Sequence, residues 1–283
     1  MSWKVHDDRA CVLGEGAFWH PGLGKLFWCD IMGRRLLCDE GRVWYFEEHI
    51  SALGWVNDRL LFVASETGLA TFNLQSEVWF PICSLEADEP KTRSNDGRAD
   101  PKGGFWIGTM GKNAEPDAGA IYRFHKGELR QLFAPITIPN AICFSPDGAF
   151  AFFADTYFGR VMRVALDRDG WPCAPPIKYL DLAAEGLNPD GAIITAEGDM
   201  LLAQWGAGRV AQYGPDGSFK AAFDLPTSHI TCPALGGSNF STLFATSALQ
   251  GLSEATAADQ PHAGCTFAIE TSLTGLPAPK VLL

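Results

Sequence analysis

Short apolar runs recur along the chain, and polar turn residues break them. The clearest are "KLFWCDI", "RLLFVAS", "GFWIGTM", "AFAFFAD", "DMLLAQW" and "TLFATSA". Each is rich in aromatic or aliphatic residues and bounded by Gly, Pro, Asn or Asp, which is the signature of strands. Helical signals are scarce. Many short strands in even succession predict a sandwich, a barrel or a propeller.

The turns decide among these. From Glu15 the chain reads "EGAFWHPGLGKLFWCDIMGRRL", and from Asn140 "NAICFSPDGAFAFFADTYFGRVM". From Asp190 it reads "DGAIITAEGDMLLAQWGAGRVA", and from Asn95 "NDGRADPKGGFWIGTM". All four share one order: a polar opener, a short strand, a Pro/Gly/Asp turn, then a second strand. Three continue through a Gly-Arg step (Gly33-Arg34, Gly159-Arg160, Gly208-Arg209) into a third strand. The Asn95 unit loops through "GKNAEPDAG" before "AIYRF". Weaker copies open at Ser51 and near Cys232.

Units repeating at roughly 45 residues lie in the range of propeller blades. The predicted fold is therefore all-β: a six-bladed β-propeller with a central channel, residues 1–283 forming one domain. A propeller needs no capping ends, because an N-terminal strand can complete its last blade. The stretch "WKVHDDR" is the candidate. The first strand of each blade lines the channel, so Glu15, Ser51, Asn95, Asn140, Asp190 and Cys232 are expected to form a ring.

Two carboxylates and two amides in one channel raise a chemical question. Buried carboxylates repel each other and lose hydration. A divalent cation removes both costs, and oxygen donors suit calcium, magnesium or manganese; iron(II) and zinc remain compatible with a carboxylate/amide set. No histidine sits at an opener, which disfavours a histidine-rich zinc hydrolase. So few ligands leave a coordination position open, as a metal that polarises a carbonyl and activates water requires. Singly, Asn-Asp-Gly and Pro-Asp-Gly are turn sequences, and Asn140 after Pro139 can serve a local backbone bond. Glu15 between Gly14 and Gly16 is a poor turn residue. Recurrence at one repeat position is what points to function.

Composition narrows the partners. A hydrophobic content of 47% with 19% charged residues is that of a soluble globular chain. The net charge of −11 argues against nucleic acid or an anionic membrane as partner. The first residues lack the pattern of a secretory signal, and no apolar run is long enough to span a bilayer. Eight scattered cysteines without a C-x-x-C pair read as buried thiols in a reducing, cytoplasmic setting. His20 reads as a surface or packing residue, and Trp205 as core or channel rim. No G-x-S-x-G elbow or Walker loop is present.

At "LGEGAFW", "RSNDGRADPKGGFWIGTM", "PNAICFSPDG", "NPDGAII" and "SALQGLSEATAADQPHAG" the sequence resembles the regucalcin/gluconolactonase/luciferin-regenerating enzyme-like family of sugar lactonases. The resemblance implies a six-bladed propeller that binds one divalent metal ion and hydrolyses a sugar lactone to the sugar acid. Residue by residue, it implies Glu15, Asn140 and Asp190 as metal ligands and Asp190 as general base. It implies Arg93 and Asn95 as substrate contacts, with Asn95 also close to the metal. One departure stands out: some members carry an acidic substrate contact just after Gly-Thr-Met, where this chain has Gly111, Lys112 and Asn113. Two other readings use the same ring: a non-enzymatic propeller binding a cation or sugar acid, and a hydrolase of other esters or organophosphates.

Overall fold

The structure is a computed structural model that describes residues 2–283. Its strands form six four-stranded antiparallel sheets. The innermost strands are Gly14–His20, Ile50–Asn57, Thr92–Ala99, Pro139–Phe144, Asn188–Ile194 and Ile230–Gly236. Each touches the next and the last touches the first, so the sheets close into a ring, the predicted six-bladed propeller. Blades are numbered here from the one that opens at Gly14.

The closing strand is also where the sequence puts it. Trp3–Asp7 pairs antiparallel with Thr266–Glu270 as the outermost strand of blade 6. Arg9 fastens this seam: its Nη2 reaches Asp7 Oδ2 at 2.7 Å and the Cys38 carbonyl of blade 1 at 2.8 Å. After the last strand the chain crosses the far end of the ring. There the Val281 N–H donates to the Trp55 carbonyl at 2.9 Å and the Leu282 N–H to the Gly103 carbonyl at 2.8 Å.

Middle strands of a blade are covered on both faces by neighbouring blades, which is why they read as continuous apolar runs. The core accordingly divides into clusters at the blade interfaces. Between blades 2 and 3, Phe62 meets Phe105 and Phe124 with ring centroids 5.2 and 5.1 Å apart. Phe62 is fully buried, and Phe62→Ala is expected to cost about 3–5 kcal/mol of stability. Equilibrium urea unfolding checks this, and a loss below about 1 kcal/mol would contradict the packing described.

All six innermost strands share one irregularity. Their pairing with the second strand slips by one residue between Glu15 and Phe18, Ile50 and Ala52, Ser94 and Gly97, Asn140 and Cys143, Pro189 and Ala192, and Ile230 and Pro233. A bulge of this kind bends the strand and re-aims a side chain. It requires unusual backbone just after two openers: Gly16 has φ of 59° and Ala141 of 54°. At Gly16 a Cβ would also meet the Ser51 carbonyl at 2.5 Å. The glycine after Glu15 is thus required by conformation and by space.

Candidate functional site

The bulges define the ring more sharply than the sequence does. After each bulge pairing resumes at Phe18↔Phe27, Ala52↔Ala64, Gly97↔Ile107, Cys143↔Phe152, Ala192↔Leu202 and Pro233↔Ala245. Glu15 and Asn140 are the last paired residues before their bulges, whereas Ser51, Asn95 and Asp190 lie inside theirs, directly after the last paired residue. In blade 6 the bulge between Ile230 and Pro233 holds both Thr231 and the expected Cys232. Cys232 is buried, and burial holds its thiol well above the usual range, so it offers no thiolate.

The openers divide into two kinds. Ser51 and Thr231 tie blades together: Ser51 Oγ donates to Ser94 Oγ at 2.7 Å, and Thr231 Oγ1 donates to the Gly14 carbonyl. Glu15, Asn95, Asn140 and Asp190 carry the unusual chemistry, and all four are buried. The loops that deliver two of them are held by carboxylates ending the second strands. Asp30 accepts the Leu13 N–H at 3.0 Å ahead of Glu15, and Asp155 accepts the Ile138 N–H at 3.0 Å ahead of Asn140.

A directional chain of hydrogen bonds crosses half the ring. Arginine only donates, so Arg93 Nη1 gives to Asn95 Oδ1 at 2.9 Å. Asn95 Nδ2 must then give to Asn140 Oδ1 at 3.0 Å, and Asn140 Nδ2 to Thr156 Oγ1 at 2.9 Å. The Thr156 hydroxyl ends the chain on the Pro189 carbonyl at 2.6 Å, beside Asp190. One permanent cation thereby fixes the orientation of both amides.

The electrostatics are those of a crowded acidic pocket. Glu15 and Asp190 lie within hydrogen-bond reach of one another, which requires a shared proton when nothing else screens them. Burial first, then neighbouring carboxylates, push both groups well above the ordinary carboxylate range. A third carboxylate, Asp96, contributes to both shifts; burial raises it as well. Its Oδ2 accepts the Ile142 N–H at 2.7 Å, while its Oδ1 is buried without a partner. Arg93 is the counterweight. Burial lowers it to about 10, so it stays charged at neutral pH, and its buried Nε has no partner. Sequence reasoning missed Asp96, because "NDG" reads as a turn, and Thr156, which has no motif at all.

The donors present suit an oxygen-seeking cation: two carboxylates that repel each other and an oriented amide oxygen on Asn140. Among the described residues no three His, Cys, Asp or Glu side chains are grouped as a metal cage, so the amide is needed to complete even a three-ligand set.

The rim of this end differs around its circumference. Between blades 2 and 3, Glu66 is gripped by Lys112 Nζ and by His49 Nδ1, the latter at 2.6 Å. Its charge is felt by Arg93. Lys112, the departure noted above, therefore binds a carboxylate from the preceding blade. At blades 5 and 6, Trp205 stacks on His229 with centroids 3.9 Å apart, which resolves Trp205 as a rim residue. His20, by contrast, is a packing residue: it is fully buried at the opposite end of its strand, 4.9 Å from the Trp55 ring. The cysteines are all free and mostly buried, as expected; Cys173 is exposed and Cys83 half-buried.

Comparison with known proteins accords with this architecture. L-arabinolactonase of Azospirillum brasilense is 36% identical over 283 residues, covering 96% of this chain and 93% of that protein. The 6-deoxy-6-sulfogluconolactonase of Pseudomonas putida is 30% identical, covering 95% and 94%. The crystal structure of a calcium-binding protein, regucalcin, from Agrobacterium tumefaciens superposes with a TM-score of 0.98 at 38% identity, covering 100% of this chain and 98% of that one. The profile of the SMP-30/Gluconolactonase/LRE-like region matches residues 13–249. The chain belongs to the SMP-30/gluconolactonase/LRE-like family.

Proposed function

We propose that this protein hydrolyses a sugar lactone to the corresponding sugar acid at the carboxylate end of the channel, with a divalent cation held by Glu15, Asn140 and Asp190. The observation that carries the reading is the buried Glu15–Asp190 pair, whose mutual repulsion a cation relieves, set beside a buried guanidinium with an unused donor. The names of the lactonase relatives support the substrate class. When bound, the cation supplies Lewis acidity at the lactone carbonyl and lowers the cost of the oxyanion.

The chain's own residues do the rest. Asp190 takes the proton of the attacking water. Arg93 and Asn95 hold the ring hydroxyls so that the ester faces the carboxylates. Glu66, braced by His49 and Lys112, supplies an acidic hydroxyl acceptor from blade 2 in place of the one absent after Gly-Thr-Met. The Trp205–His229 stack offers an apolar face for the sugar's C–H bonds. Donors made only of oxygen favour calcium, magnesium or manganese over zinc or iron(II).

Proton release from a panel of aldonolactones tests the assignment. Arg93→Met is expected to lower kcat/KM by about 100-fold, since it removes a buried charge and unlocks the Asn95 amide. An unchanged kcat/KM would remove Arg93 from substrate binding. The calcium-binding description of the Agrobacterium protein favours a second reading, a binding protein without turnover. That reading predicts cation-dependent melting with no proton release from any lactone.

A further inference from the structure

Three residues beyond the opener ring, the innermost strands bring together a second ring that includes Phe18, Arg98, Cys143, Ile193 and Ala234. At about 3.3 Å per residue this lies about 10 Å further along the channel. These residues line a cavity of about 320 Å³ at the end opposite the carboxylates. The C-terminal segment forms one wall, with Leu276 and Pro277 against it.

Among the described residues, Arg98 is the only charged one lining this cavity. It leaves blade 3 and crosses the channel: Nε donates to the Ile142 carbonyl of blade 4 at 3.2 Å, and Nη2 lies 3.9 Å from Cys232 Sγ of blade 6. Sulfur is a weak acceptor, and Nη1 has no hydrogen-bond partner among the described residues. Asp96 feels the guanidinium's charge, yet no carboxylate is in ion-pair contact with it among the described residues. Arg98 thus separates the two ends of the channel and presents unspent donors to a chamber whose other lining side chains are mostly apolar, Ser145 being the clear exception.

We propose that this distal cavity is a second ligand site, separate from the lactone site, and that it takes a small monocarboxylate with an apolar body, such as hexanoate. A carboxylate meets the guanidinium, and a short hydrocarbon covers Phe18, Ile193 and Ala234. The volume suits on the order of ten non-hydrogen atoms. A polyhydroxylated acid would lose its hydration against walls that return few hydrogen bonds. A dianion brings a second charge with no cation to meet it. The net charge of −11 makes unspecific retention of an anion unfavourable, so binding reports the cavity.

Methyl-labelled protein titrated with hexanoate, hexanol and hexylamine tests the proposal. Hexanoate is expected to shift the methyl signals of Leu53, Ile193, Ile194 and Leu276 with a sub-millimolar Kd, and to leave Ile31 and Ile138 at the other end unmoved. Hexanol should bind about tenfold more weakly or worse, and hexylamine not at all. Arg98→Met should weaken hexanoate about tenfold without weakening hexanol. If removing a residue that spans the channel prevents folding, Ile194→Trp, which fills the cavity, should abolish binding of hexanoate instead. Equal affinity for hexanoate and hexanol overturns the proposal. So do shifts confined to the opposite end, unchanged binding in either folded variant, or no binding at about 10 mM.

Discussion

Asp190→Asn is expected to reduce lactone turnover by about 1,000-fold while leaving the circular-dichroism spectrum unchanged. The size of the loss combines two roles at one side chain. An amide cannot accept the proton of the attacking water, a contribution of about 100-fold or more. It is also a poorer cation ligand than a carboxylate. The fold should survive because the native pocket is electrostatically unfavourable without a cation. The substitution removes a buried carboxylate that burial and then Glu15 hold well above the ordinary range. Metal-free Asp190→Asn is therefore expected to melt no lower than the metal-free wild type. Wild-type turnover in this variant would exclude Asp190 from the mechanism, and a collapsed fold would show the carboxylate to be structural.

The second large effect concerns stability and its dependence on pH. Glu15 stands at about 8 in the folded chain against an ordinary 4.5, and Asp190 is raised as well. Between these values the folded state binds more protons than the unfolded state, so stability falls as pH rises. Protein stripped of divalent ions should accordingly melt higher at pH 5 than at pH 8. A divalent cation replaces the shared proton, and adding one at pH 8 should raise Tm by roughly 5 °C or more at saturating concentrations. Glu15→Gln should flatten the pH dependence and blunt the cation effect together. A metal-free melting temperature that rises from pH 5 to pH 8 would contradict the account of the pair.

Much of this architecture was legible in the chain because a propeller repeats itself. Glu15, Asn95, Asn140 and Asp190 announce a ring by recurring before similar strands, and each stands at the bulge of its innermost strand. Thr231 was not singled out beside Cys232, because its bond to the Gly14 carbonyl joins residues 217 apart in sequence. Asp96 was hidden by its neighbours, since the same three letters that make a turn also place a carboxylate beneath Asn95. The rim was not legible for a different reason. His49, Glu66 and Lys112 come from two blades, and a contact between Glu66 and Lys112, 46 residues apart, follows from blade packing rather than from any local pattern. The role of Arg98 escaped likewise, because its reach from blade 3 to blade 6 exists only once the ring has closed.

The central claim is that the Glu15–Asn140–Asp190 end of the channel opens lactones with the help of a cation. Proton release from an aldonolactone panel, recorded on metal-stripped protein before and after adding back calcium, magnesium, manganese, zinc or iron(II), tests it most directly. The account predicts negligible release from stripped protein and recovery of at least about 100-fold with one or more of these ions. It also predicts no recovery in Asp190→Asn. Full turnover in stripped protein, or none on any lactone with every ion present, would contradict it.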